Sequence, residues 1–298
     1  ADTGPVEVPW DPEAVPLEDP AFPDGIQSGA VTSDSVILWT RYVDAAPLYV
    51  RVFLPSADPG HVVLHHAAVA EVDEGGFVHH RVTGLPSGTW FFYGFFAGDS
   101  ESELTGRTAI GRFRTAPAED ALEVITFAGT HGTNQDQHPF TALEVTAGFE
   151  IDFLVHLGDT SYNDGSRSIE DFWGKYSENL NDPGFRAVLP VTSYYPVWDY
   201  HEVANNWDPE TIDATYRDTA IQAYFDYMPI PRFEDHPGRI WTSYRWGATA
   251  ELFLLDCRSE RRPSTRSGAG AEYISLEQMD WLQDSLLRSD AVFKIILN

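Results

Sequence analysis

Gly148–Asp164, GFEIDFLVHLGDTSYND, is the stretch whose reading decides the fold. Its middle, Phe153-Leu154-Val155-His156-Leu157, is a short apolar run that reads as a buried strand. The run stops at Gly158-Asp159. Glycine lets the backbone turn sharply as it leaves a sheet. The Asp159 carboxylate then projects from the strand's carboxyl end, where open α/β sheets place their ligands. Tyr162 follows three residues on, and an aspartate with a phenol is an oxygen donor set suited to a hard cation. The competing reading is that Asp159 merely caps the next element.

A second stretch weakens that competing reading. Tyr194–Trp207, YYPVWDYHEVANNW, is another apolar approach, followed by Asp199, His201, Glu202, Asn205 and Asn206. Two strand ends that each carry ligand-type residues are hard to explain as caps.

Outward from these stretches the chain divides. Residues 1–20 are rich in Pro, Asp and Glu and read as an extended surface arm. Residues 21–117 are β throughout: VILWTRY, LYVRVFL, VVLHHAAV, FVHHRV and TWFFYGFF are short strands separated by turn formers, at the spacing of a sandwich. Trp39 is expected in the inter-sheet core, and Leu85–Gly88 with Tyr93 has the form of a tyrosine corner. The pairs His65-His66 and His79-His80 read as cross-strand or solvated residues, since neighbours in a strand face opposite ways. After a Pro-bearing linker, residues 121–298 alternate strands with helices. The strands are LEVITFAG, IDFLVHL, the approach to Trp198, AELFLLDC and Phe293–Leu297. The helices are 138–149, 169–180, 215–228 and 276–289, the last with Met279, Leu282, Leu286 and Leu287 on one side. The expectation is an α/β chain, a β-sandwich followed by a layered α/β domain.

Composition narrows the function. Forty-six acidic residues against 19 basic ones give a net charge of −27, which argues against a nucleic-acid-binding surface. No segment has the roughly 20 apolar residues of a membrane span. The single cysteine, Cys257, excludes a disulfide framework and a CxxC motif, and reads as a packed thiol. The start, ADTGPVEVPW, has the look of a mature secreted or periplasmic chain, and the halt at Asn298 on a strand suggests a divided polypeptide.

Four strand ends supply the candidate site: Thr130-His131, Asp159 with Tyr162, Asp199 with His201, Asn205 and Asn206, and Asp256 with Arg258. Carboxylates, imidazole, amides and a phenol beside a guanidinium suit a metal site that takes phosphate esters. Arg258 or another arginine would hold the phosphoryl oxygens, and His201 is the candidate general acid.

The chain resembles the alkaline phosphatase D (PhoD-like) family of metallophosphoesterases. The resemblance runs through SGAVTSDSVILWTR, HLGDTSY, VWDYHEVANNW, AYFDYMPIPR, SYRWGATAELFLLDCR and LEQMDWL, in the family's order. It implies an Fn3-like N-terminal domain and a secreted phosphodiesterase or phosphomonoesterase with Fe(III) and Ca2+. It also implies metal ligands at Asp159, Tyr162 and Asp199, and at or beside Asn205 and Asn206. Thr130 stands where the family has a cysteine and Tyr200 where it has an aspartate. The family's C-terminal Asp/His metal motif would come from beyond Asn298, which leaves room for a separate fragment completing the domain. The alternative is a member that binds a ligand or protein without turnover.

Overall fold

The computed structural model describes residues 4–298. The run Phe153–Leu157 is strand β11, and it sits inside a six-stranded sheet. Its neighbours β10 (Phe127–Thr130) and β12 (Ser193–Val197) run parallel to it. Beyond β12 the same sheet continues into β2 (Ile26–Gly29), β3 (Val36–Arg41) and β6 (Phe77–Val82), which are antiparallel to one another. The α/β part and one layer of the N-terminal sandwich therefore share a sheet. The join rests on Gly29 beside Tyr194. A Cβ at Gly29 would lie 2.6 Å from the Pro229 carbonyl and 2.7 Å from that of Tyr194, so only glycine fits the seam.

The second layer of the sandwich is antiparallel, in the order β1 (Val6–Pro9), β5 (His61–Val69), β4 (Leu48–Pro55), β7 (Trp90–Ser100) and β8 (Glu103–Arg107), with β9 (Gly111–Arg114) also on β7. Part of the expected N-terminal arm is thus an edge strand, Val6–Pro9 pairing with His61–Leu64. A third sheet holds β13 (Thr242–Trp246), β14 (Ala250–Leu254) and β15 (Phe293–Leu297).

Alternation along β11 explains the layering. Phe153 and Val155 face a core with Tyr195, Trp246, Leu252 and Leu254 of the sheets. Leu154 faces a second core with Phe172, Tyr176, Tyr224 and Tyr227 of the helices. A strand buried on both faces reads as an unbroken apolar run, as this one does. The helices are α1 (Thr141–Thr146), α2 (Ile169–Leu180), α3 (Pro183–Val188), α4 (Ala214–Tyr227) and α5 (Leu276–Arg288). A capping box between Ser168 and Asp171 starts α2. Asp213 accepts the Tyr216 N–H at the start of α4.

Several local expectations change. The strand anticipated from Leu122 begins at Phe127, because Glu123 instead bonds the Thr249 hydroxyl. The helix anticipated over 138–149 shrinks to Thr141–Thr146. On α5, Leu282 is buried but Leu287 is exposed. Trp39 is buried against Phe77 and Tyr227, with Nε1 donating to the Asp226 carbonyl, so it lies in the helix-side core rather than between the sandwich sheets. The Tyr93 hydroxyl is buried against Ser28 and makes no hydrogen bond to Leu85–Gly88, so the two do not form a tyrosine corner. The histidine pairs do split by face. His79 bonds the Met228 carbonyl, while His80 Nε2 meets His66 Nε2 at 2.8 Å, linking the two layers of the sandwich.

Candidate functional site

Because β10, β11 and β12 are parallel, their carboxyl ends share one edge of the sheet. Gly158 leaves β11 at φ +91°, and a Cβ there would meet the Asp199 backbone nitrogen at 2.6 Å. The turns after β11 and β12 are therefore in direct contact. Asp159 follows in the left-handed region at φ +55°, a conformation that aspartate tolerates better than most residues. The turn after β10 joins them: Gly132 and Thr133 donate their N–H groups to the carbonyls of Gly158 and Asp159.

Asp159 Oδ1 accepts the His201 N–H at 3.0 Å. Its carboxyl is pushed above the usual carboxylate range by burial and by the charge of Asp199, against the pull of the His201 N–H and Arg258. Asp199 Oδ1 takes two bonds from Arg258, from Nε at 3.0 Å and Nη2 at 2.7 Å. The guanidinium lies over the Tyr200 ring at 4.8 Å. Arg258 is only 6% exposed, and its Nη1 is buried with no hydrogen-bond partner. A buried donor left unpaired calls for an acceptor.

His201 is held from two sides. Its Nδ1 bonds the Asp164 carboxylate, whose other oxygen accepts the Asn205 N–H. The Tyr162 ring stacks on it with centroids 3.9 Å apart. Burial and the neighbouring Asp159 raise the Tyr162 phenol. Beneath these residues lies Glu202, fully buried, with one oxygen accepting the Thr160 N–H at 2.6 Å and the other the Asp199 N–H at 3.0 Å. Burial, then the charge of Asp159, pushes its carboxyl up to about 8.

The structure thus brings Asp159, Tyr162, Asp199, His201 and Arg258 together. Asn205 and Asn206 follow in the next turn, both exposed, and neither side-chain amide bonds another described residue. Asp256 does not face the site. It is 1% exposed and accepts bonds from Trp198 Nε1, the Arg258 N–H, and the Ser259 N–H and hydroxyl. Thr130 ends β10 half-buried, and His131 is exposed. Sequence reading passed over Asp164 and Asn163 and gave Glu202 no role. Asp164 closes the quoted GFEIDFLVHLGDTSYND stretch, but only the fold shows that it meets His201.

A cation has a place in this donor set, although no group of three or more His, Cys, Asp or Glu able to hold a metal occurs among the described residues. Asp159 Oδ2 and the Tyr162 hydroxyl have no hydrogen-bond partner among the described residues. A partly desolvated carboxylate beside a phenol is a fit for one hard cation.

The fold is a two-layer β-sandwich sharing a sheet with a layered α/β domain, with an Asp–Arg–His cluster at the ends of its parallel strands. The chain belongs to the PhoD-like phosphatase family: the family's model matches residues 127–298, and the model of its N-terminal domain matches residues 9–117. Alkaline phosphatase D of Bacillus subtilis (strain 168) is 25% identical over 92% of this chain and 55% of its own length. A solved structure of PhoD superposes with a TM-score of 0.80 at 23% identity, covering 93% of this chain and 62% of that one. The chain spans about half the length of the curated relative it matches.

Proposed function

We propose that this chain carries a metal-dependent phosphoesterase site, hydrolysing phosphate monoesters or diesters. The observation that carries the reading is Arg258: buried, anchored on Asp199, and left with an unpaired Nη1 beside a desolvated Asp159. A guanidinium anchored through one edge presents its remaining N–H groups to phosphoryl oxygens in fixed geometry. His201, fixed by Asp164 at Nδ1, has Nε2 left to hand a proton to the departing oxygen. Asp159 and Tyr162 would hold the cation, with Asp199 and the asparagines Asn205 and Asn206 as further candidates. When bound, a cation supplies Lewis-acid polarisation of the phosphoryl group and a more acidic water. The family resemblance suggests Fe(III) and Ca2+. Activity outside the cytoplasm rests on that resemblance alone, and cell fractionation checks it. No helix among the described residues is long and apolar enough to cross a membrane.

One observation favours a second reading, a binder without turnover. Arg258 occupies Asp199 Oδ1 with two hydrogen bonds and so competes with a cation for that carboxylate. Elemental mass spectrometry of the purified protein, with turnover of bis(p-nitrophenyl) phosphate in added calcium and iron, separates the two. Bound metal and turnover that disappears in Asp159→Asn support the enzyme. No metal and no turnover leave the binder.

A further inference from the structure

We propose that Glu202 is a positioning residue whose carboxylate ties together the turns presenting Asp159 and Asp199, and so sets the spacing of those two groups. This rests on the functional reading above, in which both carboxylates belong to the site. The parallel ladder between β11 and β12 ends at Leu157 opposite Val197. Beyond that rung the strands have no further ladder bonds to hold them in register, yet the residues that matter come next. Glu202 takes over there. One of its oxygens receives the N–H of Thr160, the residue after Asp159, and the other the N–H of Asp199 itself. The carboxylate acts as one more rung, with a side chain as the acceptor.

The clamp is itself fixed. The Glu202 carbonyl accepts Asn163 Nδ2 at 3.0 Å, and the Asn163 N–H donates to the His201 carbonyl at 2.9 Å. Gly158 lies so close to the Asp199 backbone that the two turns cannot shift independently. Glu202 is not a ligand in this arrangement. Each carboxylate oxygen already accepts a backbone N–H, and the residue is fully buried beneath the groups that line the site. A side chain that accepts one backbone N–H from each turn links the two turns directly.

Replacing the carboxylate by an amide tests this directly. Glu202→Gln keeps the shape but offers one acceptor oxygen, and its NH2 must face the other turn's N–H. Glu202→Asp keeps both acceptors on a side chain one methylene shorter. Amide hydrogen exchange by NMR reads the clamp whether or not the protein turns over, with kcat and KM on bis(p-nitrophenyl) phosphate measured in parallel. In Glu202→Gln the Thr160 or Asp199 amide should exchange at least about tenfold faster, while the amides of β11 and β12 keep their protection. In the same variant kcat should fall by about 10–100-fold, the range seen for residues that orient ligands, with KM nearly unchanged. Glu202→Asp should recover part of both losses. Unchanged exchange at Thr160 and Asp199, or loosening spread evenly through the ladder, would overturn the clamp. Loosened turns with wild-type kcat would overturn its role in positioning. If the wild-type protein hydrolyses nothing, the phosphoesterase reading falls, and the exchange arm alone decides whether Glu202 joins the turns. Should Glu202→Gln not fold, the same two amides are read in Glu202→Asp.

Discussion

Asp159 and Asp256 each end an apolar β run, in HLGD and in LLDC, and the fold uses them in opposite ways. Asp159 stands half-buried on a left-handed turn, with one oxygen on the His201 N–H and the other free of protein donors. Asp256 points inward and receives donors from Trp198, Arg258 and Ser259. A carboxylate saturated by protein donors holds structure. Burial raises both carboxyls, so it is the open oxygen of Asp159 that leaves it free for chemistry. Their partners, rather than their place at a strand end, distinguish the two.

Substitution at both positions tests this contrast most strongly. Asp159→Asn should abolish turnover by more than about 100-fold, beyond what supporting residues usually cost, while urea unfolding stays near wild type. Asp256→Ala should do the reverse first. It strips the acceptor from two buried donors, Trp198 Nε1 and the Arg258 N–H, each worth about 1–3 kcal/mol when orphaned, so stability should fall by roughly 3 kcal/mol. The urea midpoint measures it. If Asp159→Asn unfolds the protein, or Asp256→Ala leaves the midpoint unchanged, the division between the two aspartates fails.

Arg258 bridges the two regions, since its N–H bonds Asp256 and its guanidinium bonds Asp199. Arg258→Lys keeps the charge and removes the fork. A lysine offers one point donor where arginine gives two bonds to Asp199 and has Nη1 to spare. Charge-assisted bonds are worth about 1.5–3 kcal/mol, so kcat/KM should drop roughly 10- to 100-fold. Little change in the urea midpoint would place the effect in the site rather than in the Asp256 support.

Much of this was legible in the sequence, for physical reasons that can be named. Residues 169–180 show helix α2, because an amphipathic pattern is written in neighbouring residues. Asp159, Tyr162, Asp199, His201 and Arg258 were visible as polar residues following apolar strands. Asp164 and the role of Glu202 were not, because Asp164 meets His201 and Glu202 meets Thr160 across the β11–β12 edge, far apart in the chain. The shared sheet was equally hidden. Its seam depends on one close contact, Gly29 against Pro229 and Tyr194, which no periodicity records. Asp256 misled because a strand-end aspartate looks the same whether it turns out or in.

The histidines repeat the same contrast at smaller energy and give the last test. His201 lies half-buried at the site, whereas His79, His80 and His156 are support residues. Burial lowers His79 and His80 to about 4, and His156 to about 3. Arg232 adds to the effect on His79, His66 on His80, and His131 on His156. A histidine whose folded pKa is depressed stays neutral in the fold and charges in the unfolded chain, near its ordinary value of about 6.5. The unfolded state then binds more protons, so stability is full above about 6.5 and drains as pH falls from there towards about 4. The histidine contribution to the urea midpoint should therefore drop between pH 7 and pH 4.5, against the opposite slope of Glu202, raised to about 8. His80→Gln keeps a polar group opposite His66 but cannot take up the proton, so it should flatten part of that drop while leaving turnover at pH 7 unchanged. A slope equal to wild type would mean that the cross-layer pair of His66 and His80 is already open to solvent and does not serve as buried support.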